Sequence, residues 1–459
     1  MNNREERNKN NLLPHKITLT RLRTNNFYQT LDSLEKEKRE QIFLLRYRKD
    51  DSKESFYEER ELSDILNKIG RVDYHFKYIP YFAVHLDGKE AKTILDVIGN
   101  EARKRIMKKY APIRSYVEYI EAPFQFTKAE FNPEKNREEI SEIEIEKAQT
   151  ERRWNLENIL AYGAQMISRG EGTKIAIIDT GVDYLHPELK ERFGSEKGID
   201  FTGIGDPYDG EGHGTHVAGI CAGASTGVAT EATLYAVKAL DDLGRGSDVN
   251  VIKGIEWAID RNVDVINMSL GSKAATQALG EACDEAAKRN ILLVAAAGNE
   301  RAGASYPASF DSVISVAAVD SKNHHPDFSN IFETTEISAP GVDIISTFPN
   351  GGYCFMTGTS MATPHISGVL SLFLSRANEY LQKKARFLLK DTALPLCDSN
   401  YYPPEHVFGA GLVQAEPFVG ETTDFLSFRS KLSNQPPLER LKEYISERHE
   451  EMKKLYGEH

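Results

Sequence analysis

Apolar positions in the first quarter of the chain fall into short runs whose spacing switches between two and three to four residues. From Gln41 to Thr127 they predict a strand over Ile42 to Tyr47, a helix over Glu59 to Ile69 and two strands across Val72 to Leu86. A second helix over Lys89 to Tyr110 and a strand over Ser115 to Ile120 follow. The order β-α-β-β-α-β is that of a small ferredoxin-like α+β domain, read as residues 38–127. Residues 1–37 lack a sustained period and read as a polar arm. Residues 128–153 are rich in Glu, Lys, Asn and Arg and read as a charged linker. From Trp154 onward, short apolar runs such as Lys174 to Asp179 alternate with helical stretches such as Val249 to Ala258 and Ala278 to Arg289. That alternation predicts an α/β domain over 154–416, a mainly parallel sheet covered by helices on both faces. The last segment, 417–459, is a charged extension in which Leu438, Leu441, Tyr444 and Ile445 recur at helical spacing, as in a docked terminal helix. No internal repeat is visible.

The length of 459 residues calls for more than one domain, and the net charge of −12 opposes binding to nucleic acid or anionic membranes. The N-terminus is basic but has no apolar run suited to a secretory signal, and no segment has the uninterrupted apolarity of a membrane helix. The expected location is therefore the cytoplasm. Cys221, Cys283, Cys354 and Cys397 are scattered without metal-ligand spacing, as expected for free buried thiols in a reducing compartment.

Four short segments carry candidate chemistry. In TKIAIIDTGVD, Asp179 ends a buried run before a glycine turn, the place where open parallel sheets build their sites. Alone it could equally cap a helix. In GEGHGTHVAGICAG, His213 stands among Gly210, Gly212 and Gly214, which allow close approach of another group. His213 and His216 could suggest a metal pair, but no HExxH glutamate or third ligand accompanies them, so His216 is read as packing. In TGTSMATPHISGVLSLFL, Pro364 fits the first turn of a helix, which puts Ser360 at or near its N-terminus with a free backbone N–H beside the hydroxyl. In NILLVAAAGNE, a buried strand runs into Asn299, whose amide could donate to a developing oxyanion.

Taken together, Asp179, His213, Asn299 and Ser360, in that order and each in its own small-residue setting, resemble the subtilisin family of serine proteases from Trp154 to about Ala415. The resemblance implies a three-layer α/β/α fold, a triad of Asp179, His213 and Ser360, and an oxyanion hole made by Asn299 and the Ser360 N–H. It also implies substrate-pairing strips at Gly244 to Gly246 and at Ser269, Leu270 and Gly271, with Ala296, Ala297 and Gly298 lining the pocket for the residue before the cut. Glu188 replaces the Asp that commonly follows His186-Pro187, and the chain passes quickly from Cys221 through AGASTGVATEATLYAVK. The calcium site usual in the family is therefore expected to be absent or altered, and neither a metal ligand nor a cofactor is assigned.

Residues 41–127 resemble the family's propeptide domain, which implies a polypeptide substrate and the chain's own N-terminal domain as partners, with the inhibitory tail near Glu121 to Thr127. The leading expectation is an autoprocessing zymogen that cuts between Phe126 and Trp154. A dedicated cytoplasmic maturation protease, similar to a leader peptidase, is the alternative. A permanently inhibited binding scaffold is disfavoured by the intact triad residues. An α/β-hydrolase lipase is excluded, since Gly358 to Ala362 is not G-x-S-x-G.

Overall fold

A computed structural model describes residues 40–47, 55–99, 117–130, 153–301, 303–397 and 403–420. The polar arm, most of the charged linker and the proposed terminal helix lie outside these residues. The described chain forms two compact units, divided after Pro123.

In the first unit, strand β1 (Glu40–Tyr47), helix α1 (Ser55–Leu66), strands β2 (Arg71–His75) and β3 (Tyr81–Asp87), helix α2 (Gly88–Gly99) and strand β4 (Val117–Glu121) follow in sequence. The strands pair antiparallel in the order β2-β3-β1-β4. Alternate residues Phe43 and Leu45 of β1 and Phe82 and Val84 of β3 share one face with Leu62 and Leu66 of α1 and Ala91 and Ile94 of α2. The first helix ends at Leu66 rather than Ile69, because Asn67 turns its Oδ1 to the Val72 N–H at 3.1 Å and leads into β2. The predicted continuation of the second helix to Tyr110 falls outside the described residues.

The second unit opens with strand β5 (Gln125–Lys128). Composition had placed a domain end at residue 127, but β5 belongs wholly to the second unit. A charged sequence hid a segment held by backbone pairing. After two short helical turns (Trp154–Asn158 and Ala161–Gln165) come β6 (Lys174–Asp179), β7 (Gly198–Asp200), α3 (His213–Ala222), β8 (Thr233–Lys238), β9 (Arg245–Ser247), α4 (Asp248–Asp260) and β10 (Val265–Met268). β11 (Leu270–Gly271), α5 (Gln277–Lys288), β12 (Leu292–Ala296), β13 (Val313–Val319), β14 (Ile337–Pro340), the hairpin β15 (Ile344–Phe348) and β16 (Gly352–Met356), and α6 (Thr359–Leu374) complete it, followed by short helical turns. Seven strands form one parallel sheet in the order β14-β13-β12-β10-β6-β8-β7.

Both faces of this sheet are covered, which explains why its strands are apolar throughout instead of alternating. Ile175 and Ile177 of β6 join a core with Val217 of α3 and Ile366 and Val369 of α6. Ile178 points the other way, where Gly254 of α4 leaves just enough room: a β carbon there would lie 3.3 Å from it. The chain moves to one side of β6 for β7 and β8, then to the other for β10, β12, β13 and β14. The carboxyl end of β6 is thus a switch point, where adjacent loops diverge and leave a crevice. Among the described residues no helix is long and apolar enough to cross a membrane.

Candidate active site

Asp179 is the last residue of β6 and is wholly buried. Its Oδ1 accepts from the Thr180 N–H and from Nδ1 of His213, each at 2.7 Å. Because a carboxylate can only accept, Nδ1 carries the proton and Nε2 is left with its lone pair. Nε2 is buried and has no hydrogen-bond partner in this arrangement. Burial alone lowers the pKa of His213, but the charge and hydrogen bond of Asp179 outweigh it, and the net shift is upward.

Glycine permits the approach of these two residues. Gly212 precedes α3 with φ of 109°, and a β carbon on Gly214 would stand 2.1 Å from the Gly181 carbonyl oxygen. A residue that sequence reasoning missed fastens the turn. Buried Asp209 accepts from the Glu211 and Gly212 N–H groups, from the Thr180 hydroxyl, and from both the N–H and hydroxyl of Thr215. Burial still raises its pKa. The signal was an Asp just ahead of the glycine-flanked histidine.

Ser360 is the second residue of α6 and is fully buried. Pro364 stands in the second turn of this helix, not the first as its lack of an N–H had suggested. The Ser360 carbonyl, deprived of its usual helical donor, accepts instead from the Ser269 hydroxyl at 2.9 Å. The Ser360 hydroxyl donates to the Ser269 carbonyl, also at 2.9 Å. Asn299 is oriented by its Oδ1, which accepts from both the N–H and the hydroxyl of Thr359 at 3.0 and 2.9 Å. Its Nδ2 therefore faces away from Thr359, and donates to the carbonyl oxygen of Ala129. The Ser360 N–H donates to that same oxygen at 3.3 Å.

The two strips expected to pair with an extended peptide do so with the chain's own residues. β5 lies between β9 and β11 in a three-stranded antiparallel sheet. Phe126 is opposite Gly246, Thr127 opposite Gly271 and Lys128 opposite Leu270. The Lys128 N–H donates to the Gly244 carbonyl and the Ala129 N–H to the Ser269 carbonyl, each at 3.2 Å. Phe126 is completely buried and Ala129 nearly so. Ala296 and Ala297 are buried just before Asn299, and the Gly298 N–H donates to the Thr359 hydroxyl at 3.1 Å.

Other sequence candidates fall outside this cluster. His216 is buried with Nε2 3.0 Å from both the Ile344 and Cys354 carbonyls, and burial pushes its pKa down to about 3. It packs neutral. Cys221 and Cys283 are buried free thiols and Cys354 is buried, whereas Cys397 is exposed, a correction to the expectation for all four: it lies in an irregular stretch after Leu394. The Glu188 carboxylate accepts from the Ser225 N–H at 2.5 Å, the Ser225 hydroxyl at 2.7 Å and the Tyr353 hydroxyl at 3.0 Å, and feels the Arg153 charge. Hydrogen-bond donors and a guanidinium surround it, so this carboxylate does not suit a calcium ion. Among the described residues no group of three or more His, Cys, Asp or Glu side chains could hold a metal.

At the edge of the β5–β9 pairing, Asp248 begins α4, and its N–H donates to the Phe124 carbonyl at 3.1 Å. Burial pushes its side-chain pKa up from 3.8 to about 7. The folded state thus keeps a proton that the unfolded chain releases, so stability falls as pH rises from about 4 to about 7 and levels off above. Asp248→Asn, in a Ser360→Ala background, is expected to raise Tm most at pH 8, by a stability gain on the order of a few kcal/mol. The gain should shrink toward pH 4; a pH-independent difference would contradict this account.

A doubly covered parallel sheet, with an aspartate–histidine pair at its switch point, a serine at the start of a facing helix, and N–H donors from that serine and from Asn299 beyond β12, has the layout of a serine-hydrolase-type site. The sequence profile described as the subtilase family matches residues 170–412, more than half of the chain, and the chain belongs to that family. It is 43% identical over 258 residues to Subtilisin NAT of Bacillus subtilis subsp. natto, covering 54% of this chain and 65% of that protein. The same identity over 258 residues is found with Subtilisin of Bacillus pumilus, covering 54% of this chain and 90% of that protein. With the Thermostable alkaline protease of Halalkalibacterium halodurans it is 43% over 253 residues, covering 54% and 67%. The chain thus spans just under two thirds of the length of Subtilisin NAT.

Proposed function

We propose that this protein is a serine endopeptidase, made as a zymogen, that cuts its own chain between Ala129 and Glu130. The observation that carries this reading is the Ala129 carbonyl oxygen, on which the Asn299 amide and the Ser360 N–H converge. Two N–H donors aimed at one carbonyl in a buried cleft stabilise the negative charge that develops there when the carbon is attacked. Pairing of β5 with both strips holds that carbonyl in place, so the reaction is intramolecular.

The steps follow from the residues. A turn about the Cα–Cβ bond moves the Ser360 hydroxyl from the Ser269 carbonyl toward Nε2 of His213. Nε2 takes the hydroxyl proton as Oγ bonds to the Ala129 carbonyl carbon, and Asp179 stabilises the imidazolium. The tetrahedral intermediate collapses when His213 gives its proton to the Glu130 nitrogen, breaking the Ala129–Glu130 bond. Residues up to Ala129 remain as an ester on Ser360. Water, deprotonated by His213, then hydrolyses the ester, leaving a new carboxylate at Ala129 and regenerating the serine. The N-terminal unit, still linked to β5, is the partner that delivers this segment to the cleft.

A peptide spanning residues 124–133, incubated with freshly purified protein, tests the reading. Cleavage at the single Ala–Glu bond, identified by product masses, is expected. Hydrolysis at another bond, or none, would count against it.

A further inference from the structure

The residue before the bond that would be cut is small, but the one before that is a lysine whose surroundings are built for charge. Lys128 Nζ lies 2.6 Å from Glu211 Oε1 and 2.6 Å from Glu130 Oε2. Glu130 belongs to the bound segment itself, so Glu211 is the contribution of the cleft. Both ends of the Lys128–Glu211 pair are largely withdrawn from solvent, with side-chain exposures of 13% and 9%.

Glu211 is not a swinging surface carboxylate. Its own N–H is held by Asp209 Oδ1 at 3.0 Å, and its Oε2 accepts from the His213 N–H at 3.0 Å, leaving Oε1 toward Lys128. The lysine stem lies over Gly244, where a β carbon would come within 3.0 to 3.2 Å of Cδ, Cγ and Cε. The cleft therefore offers a bare backbone surface for an aliphatic stem and a fixed carboxylate at its end. That combination suits lysine: methylene groups bury against backbone while the ammonium meets a charge.

Resting on the proposed endopeptidase activity, we infer that Glu211 is a specificity-determining residue, which selects polypeptides carrying a basic residue two positions before the cut bond. The substrate class is then a chain with a buried aromatic at the Phe126 position, lysine or arginine at the Lys128 position and a small residue at the Ala129 position. An acidic residue at the Lys128 position would face Glu211 and be rejected by like charge.

The test compares kcat/KM for three quenched peptides based on residues 124–133 that differ only at the Lys128 position: lysine, norleucine and glutamate. Norleucine keeps most of the stem and removes the charge. Wild type is expected to favour lysine over norleucine by roughly tenfold, the scale of a charge-assisted bond largely shielded from water, and to cut the glutamate peptide least. In Glu211→Gln the lysine preference is expected to collapse to about one. Taking the ratio within each protein cancels any effect of the substitution on His213 itself. If Glu211→Gln proves inactive, raising salt in the wild type decides: the lysine-to-norleucine ratio should fall as the charge pair is screened. No preference for lysine in wild type, a preference that survives in Glu211→Gln, or a salt-independent ratio would each overturn the inference while leaving the endopeptidase reading intact. Failure to cut any of the peptides would overturn both.

Discussion

Ser360→Ala is expected to lower kcat on a cleavable peptide by about 10⁶-fold, a scale set by subtilisin, to which this chain is similar. The size of the loss follows from the site's division of labour. On the proposed mechanism Ser360 supplies the attacking oxygen, and its two neighbouring hydroxyls are otherwise engaged: that of Ser269 is committed to the Ser360 carbonyl, and that of Thr359 to Asn299. Without Ser360 the general base has nothing to activate except water. Alanine at this position keeps the backbone N–H and the start of α6, so folding should be unaffected. Steady-state hydrolysis beside a thermal melt separates the two effects; a loss of less than about tenfold would contradict Ser360 as the nucleophile.

Asn299→Ala is expected to reduce kcat by about 10² to 10³, again on a scale set by subtilisin, with little change in KM. The bound segment is held mainly by its pairing with the two strips at Phe126 and through the Lys128 and Ala129 N–H groups, bonds that Asn299 does not make. The Asn299 amide meets only the carbonyl oxygen, whose charge grows in the transition state, so its removal is felt chiefly in turnover. The substitution also frees the Thr359 N–H and hydroxyl that Asn299 Oδ1 accepts. Asn299→Asp separates these roles: it keeps the acceptor but turns the donor into a negative charge facing the oxyanion. It should be at least as damaging as alanine. A rise in KM with kcat preserved, measured by initial rates, would instead make Asn299 a ground-state binding residue.

Much of this site was legible because its chemistry needs unusual local sequences. Asp179 was found because an apolar run too short for a helix ended in an acid and a glycine. His213 was found because glycine on both sides lets an imidazole and a neighbouring strand end approach closely: a β carbon at Gly214 would stand 2.1 Å from the Gly181 carbonyl oxygen. Asn299 stood out after a fully apolar strand. The order of elements in the small first unit was legible from periodicity, although the first helix was set one turn late because Asn67 and its side-chain bond to Val72 were not weighed.

What escaped was whatever depended on the far partner instead of the local pattern. Pro364 was assigned to a first turn because its missing N–H was considered without the Ser269 hydroxyl that serves the Ser360 carbonyl from another strand end. Asp209 looked like an ordinary turn residue; its importance lies in five donors drawn from Thr180, Glu211, Gly212 and Thr215. The end of the first domain was drawn at residue 127 on composition, yet Lys128 and Ala129 make backbone bonds to Gly244 and Ser269, more than a hundred positions away. Charge in that segment suggested a free linker. In the fold it is the ammonium's bond to Glu211 and the Ala129 carbonyl's seat between two donors that account for those residues.

On the proposed reading, the Ala129–Glu130 bond is held for attack by Ser360. Intact mass of freshly purified wild type and of Ser360→Ala, followed over time at several protein concentrations, tests it most directly. Wild type is expected to split at a rate independent of concentration into one fragment ending at Ala129 and another beginning at Glu130, while Ser360→Ala stays whole. A first cut at a different bond, or the same cut in both proteins, would contradict the account.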